Sequence, residues 1–378
     1  MSALLNGLRG LWQFWPIAIA LGLMLAPVRS RKWPWVIVGS TLVLTPLALS
    51  LGWITLYAAR MEALIFITAI LAVSLNLING LTGLFSIGHA GFAIVGGYAA
   101  GILTTFVFQL GPETRLPLAI PAFVVSLLLG GLAAAAFGFL VGLPTLRLRG
   151  DYLAIATLGF GEIICVVLRF ITFRRPVGEQ VFEVGGPRGI QDIPAMPGLP
   201  IPGTEVAMPV LASFVYSLVA LALIVWAIRN LSFSSHGRAC AAIREDEVAA
   251  EILGVDTVFY KVGAFTIGAF FAGVGGALLA HWSNMLHPSM GGFVRSIEYL
   301  IIVYIGGVGS ISGSLLAAAL LLICGETLKD VLRDRDAWRM VLYGGILIAV
   351  MLWRPRGLYG DREFPWLMPR GRSTDGPA

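Results

Sequence analysis

The sequence predicts an all-α integral membrane protein of about 10–11 transmembrane segments, two of them broken by clustered glycines. Three observations carry that expectation. The chain is 57% hydrophobic and 12% charged with a mean hydropathy of +0.86, whereas soluble domains carry about 25% charged residues. Apolar stretches follow one another along nearly the whole length. Two of those stretches are interrupted by glycines spaced too closely for an ordinary helix.

Taken in order, the apolar stretches cover residues 11–28, 34–53, 64–78, 92–108, 116–143, 152–170, 208–228, 262–281, 297–305, 315–324 and 338–353. A spanning helix needs about 20 mostly apolar residues. Residues 297–305 and 315–324 are therefore too short to cross alone. Residues 11–28 look like a signal-peptide core, but the stretches behind them favour an uncleaved anchor.

Basic residues set the expected orientation, and arginine supplies nearly all of them, since the lysines are Lys32, Lys261 and Lys329. Arg29, Arg31 and Lys32 share one loop, Arg147 and Arg149 a second, and Arg229, Arg238 and Arg244 a third. Arg354, Arg356, Arg362, Arg370 and Arg372 crowd the tail at 357–378 and its approach. Eleven segments place all four groups on the cytoplasmic face, with the N-terminus outside and the C-terminus inside. The net charge of +5 reflects these loops; no arginine run is interleaved with aromatics, so no nucleic-acid partner is expected and lipid is. Cys165, Cys240 and Cys324 lie far apart and read as packing residues, and no metal site is expected.

The outer segment 172–207 is rich in proline and glycine without apolar periodicity, and reads as an irregular external cap. Its length leaves a linker and a docking role equally open.

The first break runs Gly-Leu-Thr-Gly-Leu-Phe-Ser-Ile-Gly-His-Ala-Gly at 80–91, and the second Ile-Gly-Gly-Val-Gly-Ser-Ile-Ser-Gly-Ser at 305–314. Irregular backbone at membrane depth survives only when buried in protein or lining a watery cavity. Paired interrupted segments point to a transport pathway, which would run past Gly83, Ser86, Gly88, His89, Gly306, Gly307, Gly309 and Ser310. Close helix packing through small residues is the alternative. Ionisable residues at depth are expensive without a partner. His89 reads either as an imidazole bonded to a freed carbonyl or as a ligand contact. Glu162 is expected to bond a neighbouring helix, and Glu298 opens the stretch at 297–305. No chain of carboxylates and histidines suggests a proton-driven pump.

The segment 235–261 is polar between two apolar stretches, which suits a handle for a soluble partner. Acids at Glu245, Asp246 and Glu247 follow Arg244 and suit a helix start. Val248, Ala249, Ile252 and Leu253 form an apolar stripe around Ala250 and Glu251, and Gly254 is placed to end the helix. Asp256 or Thr257 can cap the next helix.

The run Val-Ala-Ala-Glu-Ile-Leu-Gly at 248–254 resembles the coupling-loop signature of bacterial ABC-importer permeases, Glu-Ala-Ala, three residues, Gly. With Gly80 to Tyr98, Leu146 to Ile163, Gly237 to Lys261 and Ile305 to Gly313, the chain resembles the branched-chain amino-acid permease family, and in particular the second of its two permease subunits. Val248 stands where the signature has glutamate, with Glu247 one place earlier, which leaves open the salt bridge usual there. The resemblance implies a permease core over 62–356 preceded by N-terminal spans over 1–61. It implies a transport subunit, not an enzyme, in the bacterial cytoplasmic (inner) membrane. Its partners would be a second homologous permease, two cytoplasmic ATPases and an extracytoplasmic substrate-binding protein. Arg244, Glu245, Glu247, Val248, Ala249, Ala250, Ile252 and Gly254 would couple it to the ATPases.

The residues agree that no cofactor binds here and that ATP would be held by partner subunits. A P-loop sets glycine directly before lysine, whereas the lysines here follow Arg31, Tyr260 and Leu328. Branched-chain or other apolar amino acids are the expected cargo, with urea, short amides or aromatic amino acids as the alternative within the same architecture. A stand-alone secondary transporter would need no docking helix, and a membrane enzyme would cluster its histidines; His89, His236, His281 and His287 are scattered.

Overall fold

The computed structural model describes residues 15–16, 19, 33–110, 116–146, 151–177, 180–198, 208–331, 345, 348, 352–353, 357–360, 363–364 and 367. The predicted spans at 11–28 and 338–353 lie outside these apart from isolated positions. The other nine apolar stretches each coincide with a helix: α1 (Trp33–Ser50), α2 (Leu56–Asn76), α3 (His89–Ile102), α4 (Leu116–Thr145), α5 (Asp151–Phe170), α6 (Met208–Ser232), α9 (Thr257–Ser283), α10 (Phe293–Gly306) and α11 (Ile311–Val331). Two short helices, α7 (Ser235–Glu245) and α8 (Glu247–Ile252), fill the polar segment between α6 and α9. Among the described residues six helices are long and apolar enough to cross a membrane, or seven when the bent pair of α10 and α11 counts as one span. The protein is an all-α multi-pass membrane protein with one small extra element.

That element lies in the outer segment. Strands β1 (Thr172–Val177) and β2 (Gln180–Gly185) form an antiparallel hairpin in register from Thr172 opposite Gly185 to Val177 opposite Gln180. Beyond it, Ile190 and Leu286 exchange backbone hydrogen bonds of 3.0 and 2.8 Å. Ile190, Ile193 and Met196 are buried, and the two isoleucines join Ile94, Tyr98, Phe106, Ile164, Ala280 and Leu286 in one apolar cluster. The described part of the segment is thus a hairpin followed by residues 186–198 without helix or strand, whose isoleucines pack inward. Isolated apolar residues three apart outside helix and strand carry no periodic signal, so the sequence could not announce this packing.

The chain forms two compact units, each drawn from separated stretches. The first comprises Met1–Val73, Ser213–Arg229 and Ile301–Ala378. Within it, Phe66 of α2 meets Phe214 of α6 at 5.6 Å between ring centroids, and Ile65 packs with Ala319 of α11. The second comprises Ser74–Ala212 and Asn230–Leu300. Its core is α9 against α3 and α4. Glycines allow that approach: a Cβ on Gly276 of α9 would lie 1.8 Å from the carbonyl oxygen of Ala93 in α3, and one on Gly96 2.3 Å from Gly273. Backbone-to-backbone contact through small residues is how helices associate where lipid offers no hydrophobic driving force.

Candidate functional site

Both breaks are real interruptions. After α2 the chain makes a π-helical turn over Leu77–Leu81, runs without helix through residues 82–88, and restarts at His89. Gly83 has φ +68°, which glycine adopts without steric penalty. Three amides at the break are answered by side chains. Ser86 donates its N–H to Asn79 Oδ1 at 3.3 Å, Ile87 to Thr157 Oγ1 of α5 at 3.2 Å, and Ala90 to Ser296 Oγ of α10 at 3.2 Å. This is what burial of irregular backbone demands. Gly88 lies against α5 so closely that a Cβ would sit 2.1 Å from the Thr157 carbonyl oxygen. His89 is fully buried and its Nε2 bonds the Ser74 hydroxyl at 2.8 Å. Ser86 is also fully buried.

The polar segment is built from caps. Ser234 accepts the Gly237 N–H at 3.2 Å and starts α7. Asp246 Oδ1 accepts the N–H groups of Val248 and Ala249 at 2.9 and 3.0 Å and starts α8. Gly254, with φ +85°, closes α8 as the sequence implied, its N–H reaching the Glu251 carbonyl at 3.0 Å. Asp256 caps α9 through the Phe259 N–H at 3.0 Å. Cys240 packs on the inner side of α7, where burial pushes its thiol up to about 11. Ala250 is the buried face of α8, while Val248, Ile252 and Leu253 are 53%, 81% and 81% exposed. The apolar stripe therefore points away from the rest of the second unit.

Two interactions hold this segment at its base, and sequence spacing gave no hint of either. Lys261 of α9 is buried and pairs with Glu247 at 2.6 Å. The shift of the glutamate to 247 thus leaves a salt bridge in place. Arg244 reaches out of the last turn of α7 and donates Nη1–H to the Gly80 carbonyl at 2.8 Å, while its Cγ lies where a Cβ on Gly83 would be 2.7 Å away. The polar segment grips the first break directly. Glu245 makes only a surface pair with Arg244 at 3.3 Å.

The second break belongs to the first unit. α10 and α11 are bent by 119° across residues 307–310, with φ of +117° at Gly307 and +93° at Gly309. Gly306 faces Gly313 so tightly that a Cβ would lie 2.5 Å from the Gly313 carbonyl. Ser310 is buried and caps α11, its Oγ accepting the Gly313 N–H at 3.0 Å. Of the acids expected at depth, Glu162 Oε1 accepts the Phe293 N–H at 2.7 Å and so caps α10 from α5, as the expected bond to a neighbouring helix. Glu298 lies in the second turn of α10 and pairs with Arg295 at 2.7 Å. Glu62 was missed: α2 begins at Leu56, which carries this residue fully into the packed part of the helix.

The family described as branched-chain amino acid transport system / permease component matches residues 57–351. The chain is 36% identical over 335 residues to the high-affinity branched-chain amino acid transport system permease protein LivM of Escherichia coli (strain K12), covering 83% of this chain and 72% of that one. The chain belongs to this permease family. A second relative, the protein of the same name from Salmonella typhimurium, is 38% identical over 310 residues, 76% of this chain and 67% of its own. A third relative, the high-affinity branched-chain amino acid transport system permease protein BraD of Pseudomonas aeruginosa, is 27% identical over 305 residues, 78% of this chain and 92% of its own. The permease match takes in both breaks and the α7–α8 segment. It stops before the tail residues that meet the second break.

Proposed function

We propose that this permease is one half of the membrane pathway of an ATP-driven importer for branched-chain amino acids. It would sit in the bacterial cytoplasmic membrane with its C-terminus inside, beside a second homologous permease. Two cytoplasmic ATPases would serve the permease pair, docking on this chain through α7–α8, and an extracytoplasmic binding protein would deliver the cargo. ATP would be held by the ATPases, so the chain itself needs no cofactor. The cargo reading is supported by the names of the relatives.

The observation that carries the proposal is the polar segment. It offers exposed Val248, Ile252 and Leu253 on one side and holds the first break through Arg244 on the other. An apolar helix face docking in a protein groove, joined at its root to a broken span, is what transmission from a motor to a pathway requires. Gly83, Ser86, Gly88 and His89 in one break, and Gly306, Gly307, Gly309 and Ser310 in the other, would be the backbone that rearranges as cargo passes. The two segments themselves carry glycines, hydroxyls and apolar side chains with few charges apart from His89, which would offer cargo contacts loose enough to release it.

Docking is tested by co-purification. With Ile252→Glu and Leu253→Glu together, a tagged permease is expected to insert normally and to recover roughly a tenth or less of the wild-type ATPase, since a few apolar anchors at an interface commonly dominate its affinity. Undiminished recovery of the ATPase would remove α8 as the docking element.

A further inference from the structure

The tail beyond the family match makes contacts that the permease reading does not use. Leu358 donates its N–H to the Ile305 carbonyl at 2.7 Å and Tyr359 to the Gly306 carbonyl at 3.2 Å, which satisfies the last carbonyls of α10. On the other side of the same break, Glu363 Oε1 accepts the Ile311 N–H at 2.6 Å and Oε2 accepts the Ser312 N–H at 3.1 Å. The Ser312 hydroxyl donates to Oε2 and accepts the Phe364 N–H at 2.7 Å. One segment of tail thus answers the loose carbonyls that end one helix and the loose amides that start the next. A carboxylate suits the positive end of α11.

The fit is close. A Cβ on Gly357 would lie 2.6 Å from Gly307, and Gly357 itself has φ +79°. The segment is anchored by Phe364 and Leu367, both buried, by the Tyr359–Phe364 ring contact at 5.4 Å, and by Arg229 Nε donating to the Leu367 carbonyl at 2.7 Å. Meanwhile the break it spans contains two glycines at positive φ, Gly307 and Gly309, a residue type with more backbone conformations open to it than any other. The helix ends need no tail to exist, because Ser310 already caps α11. What the tail adds is selection of one bend.

We propose that the tail residues Gly357, Leu358, Tyr359, Glu363, Phe364 and Leu367 form a clamp that sets the conformation of the second break, with Glu363 as its positioning residue. The clamp keeps the break from moving except when the transport cycle drives it, so its loss lets ATP be spent without uptake. This rests on the importer reading only for its readout.

The test uses the whole transporter in proteoliposomes, at matched permease content, with leucine uptake and ATP hydrolysis measured on the same samples. Wild-type ATP-driven uptake decides the importer reading by itself. Glu363→Gln, which loses the charge and one acceptor, is expected to lower uptake per ATP by roughly threefold or more, the scale of a lost charge-assisted hydrogen bond. Amide exchange over residues 307–314 is expected to quicken in the same variant. A merely structural role would lower uptake and hydrolysis together and leave their ratio alone. An unchanged ratio overturns the clamp. Should Glu363→Gln not be obtainable in folded form, Ser312→Ala carries the same criterion, with a smaller fall expected and an unchanged ratio again decisive against it.

Discussion

Replacing Arg244 with methionine is expected to reduce ATP-driven uptake by roughly tenfold or more while leaving the ATPases docked. The guanidinium donates to the Gly80 carbonyl at 2.8 Å, at the end of the π-helical turn Leu77–Leu81. Carbonyls at a helix end carry partial negative charge and have no partner of their own. A hydrogen bond from a charged donor contributes about 1.5–3 kcal/mol net, which corresponds to one to two powers of ten in an equilibrium. Methionine keeps much of the packing and removes the bond. The docking face is untouched, because Val248, Ile252 and Leu253 lie exposed on the next helix. Lysine at 244 is expected to fall between the two, since a single ammonium reaches the carbonyl without the planar fork. Gly83→Ala should act in the same direction, because its new methyl meets Arg244 Cγ at 2.7 Å in a backbone with φ +68°. Uptake at the wild-type level in the methionine variant, at equal amounts in the membrane, would show that Arg244 transmits nothing.

Gly88→Leu is expected to have the largest effect on the folded protein. Its Cβ would lie 2.1 Å from the carbonyl oxygen of Thr157, and the neighbouring Ile87 N–H bonds the Thr157 hydroxyl at 3.2 Å. Backbone meets backbone there, so no rotamer change relieves the clash; α5 must move away and the break loses a partner for its amide. Overpacking costs about 1–3 kcal/mol and an orphaned buried amide about as much again. The expected outcome is a several-fold loss of monodisperse protein after extraction. Gly159→Leu in α5 provides the comparison, since nothing lies within 4 Å of a Cβ there. It should behave as wild type. Gly130 looks like an ordinary span residue in the sequence and would be the wrong control: a Cβ on it would lie 2.6 Å from the Gly96 carbonyl. Equal yields of the two leucine variants would return the first break to a loosely packed loop.

These two sites also show what the sequence could and could not disclose. Apolar length located the nine helices, because lipid imposes a simple compositional rule. Glycine clusters located both breaks, since Gly83, Gly307 and Gly309 occupy backbone that few other residues tolerate. Gly254 and the acids before Val248 announced α8 through local cap chemistry. Partners were a different matter. Arg244 lies 164 residues from Gly80 and Phe293 131 residues from Glu162, and no local pattern records which side chain will meet a freed backbone group. Glu363 was read as part of a basic tail, and only the fold brings it to Ser312. The small-residue packing alternative is also realised, at Gly96, Gly273, Gly276 and the Gly306–Gly313 crossing. Packing and hinge are therefore not exclusive at the second break: Gly306 and Gly313 let two helices touch, and Gly307 and Gly309 between them take the bend.

The central claim is that a soluble motor works this membrane pathway through α7–α8. It is tested most directly by leucine uptake into proteoliposomes that hold the permease with its second permease and both ATPases, with the binding protein supplied on the other side. The account predicts leucine accumulation that requires hydrolysable ATP and the binding protein, and that collapses in the Ile252→Glu, Leu253→Glu variant. Accumulation driven by an ion gradient in the absence of ATP, or ATP-driven uptake that survives the loss of the docking face, would contradict it.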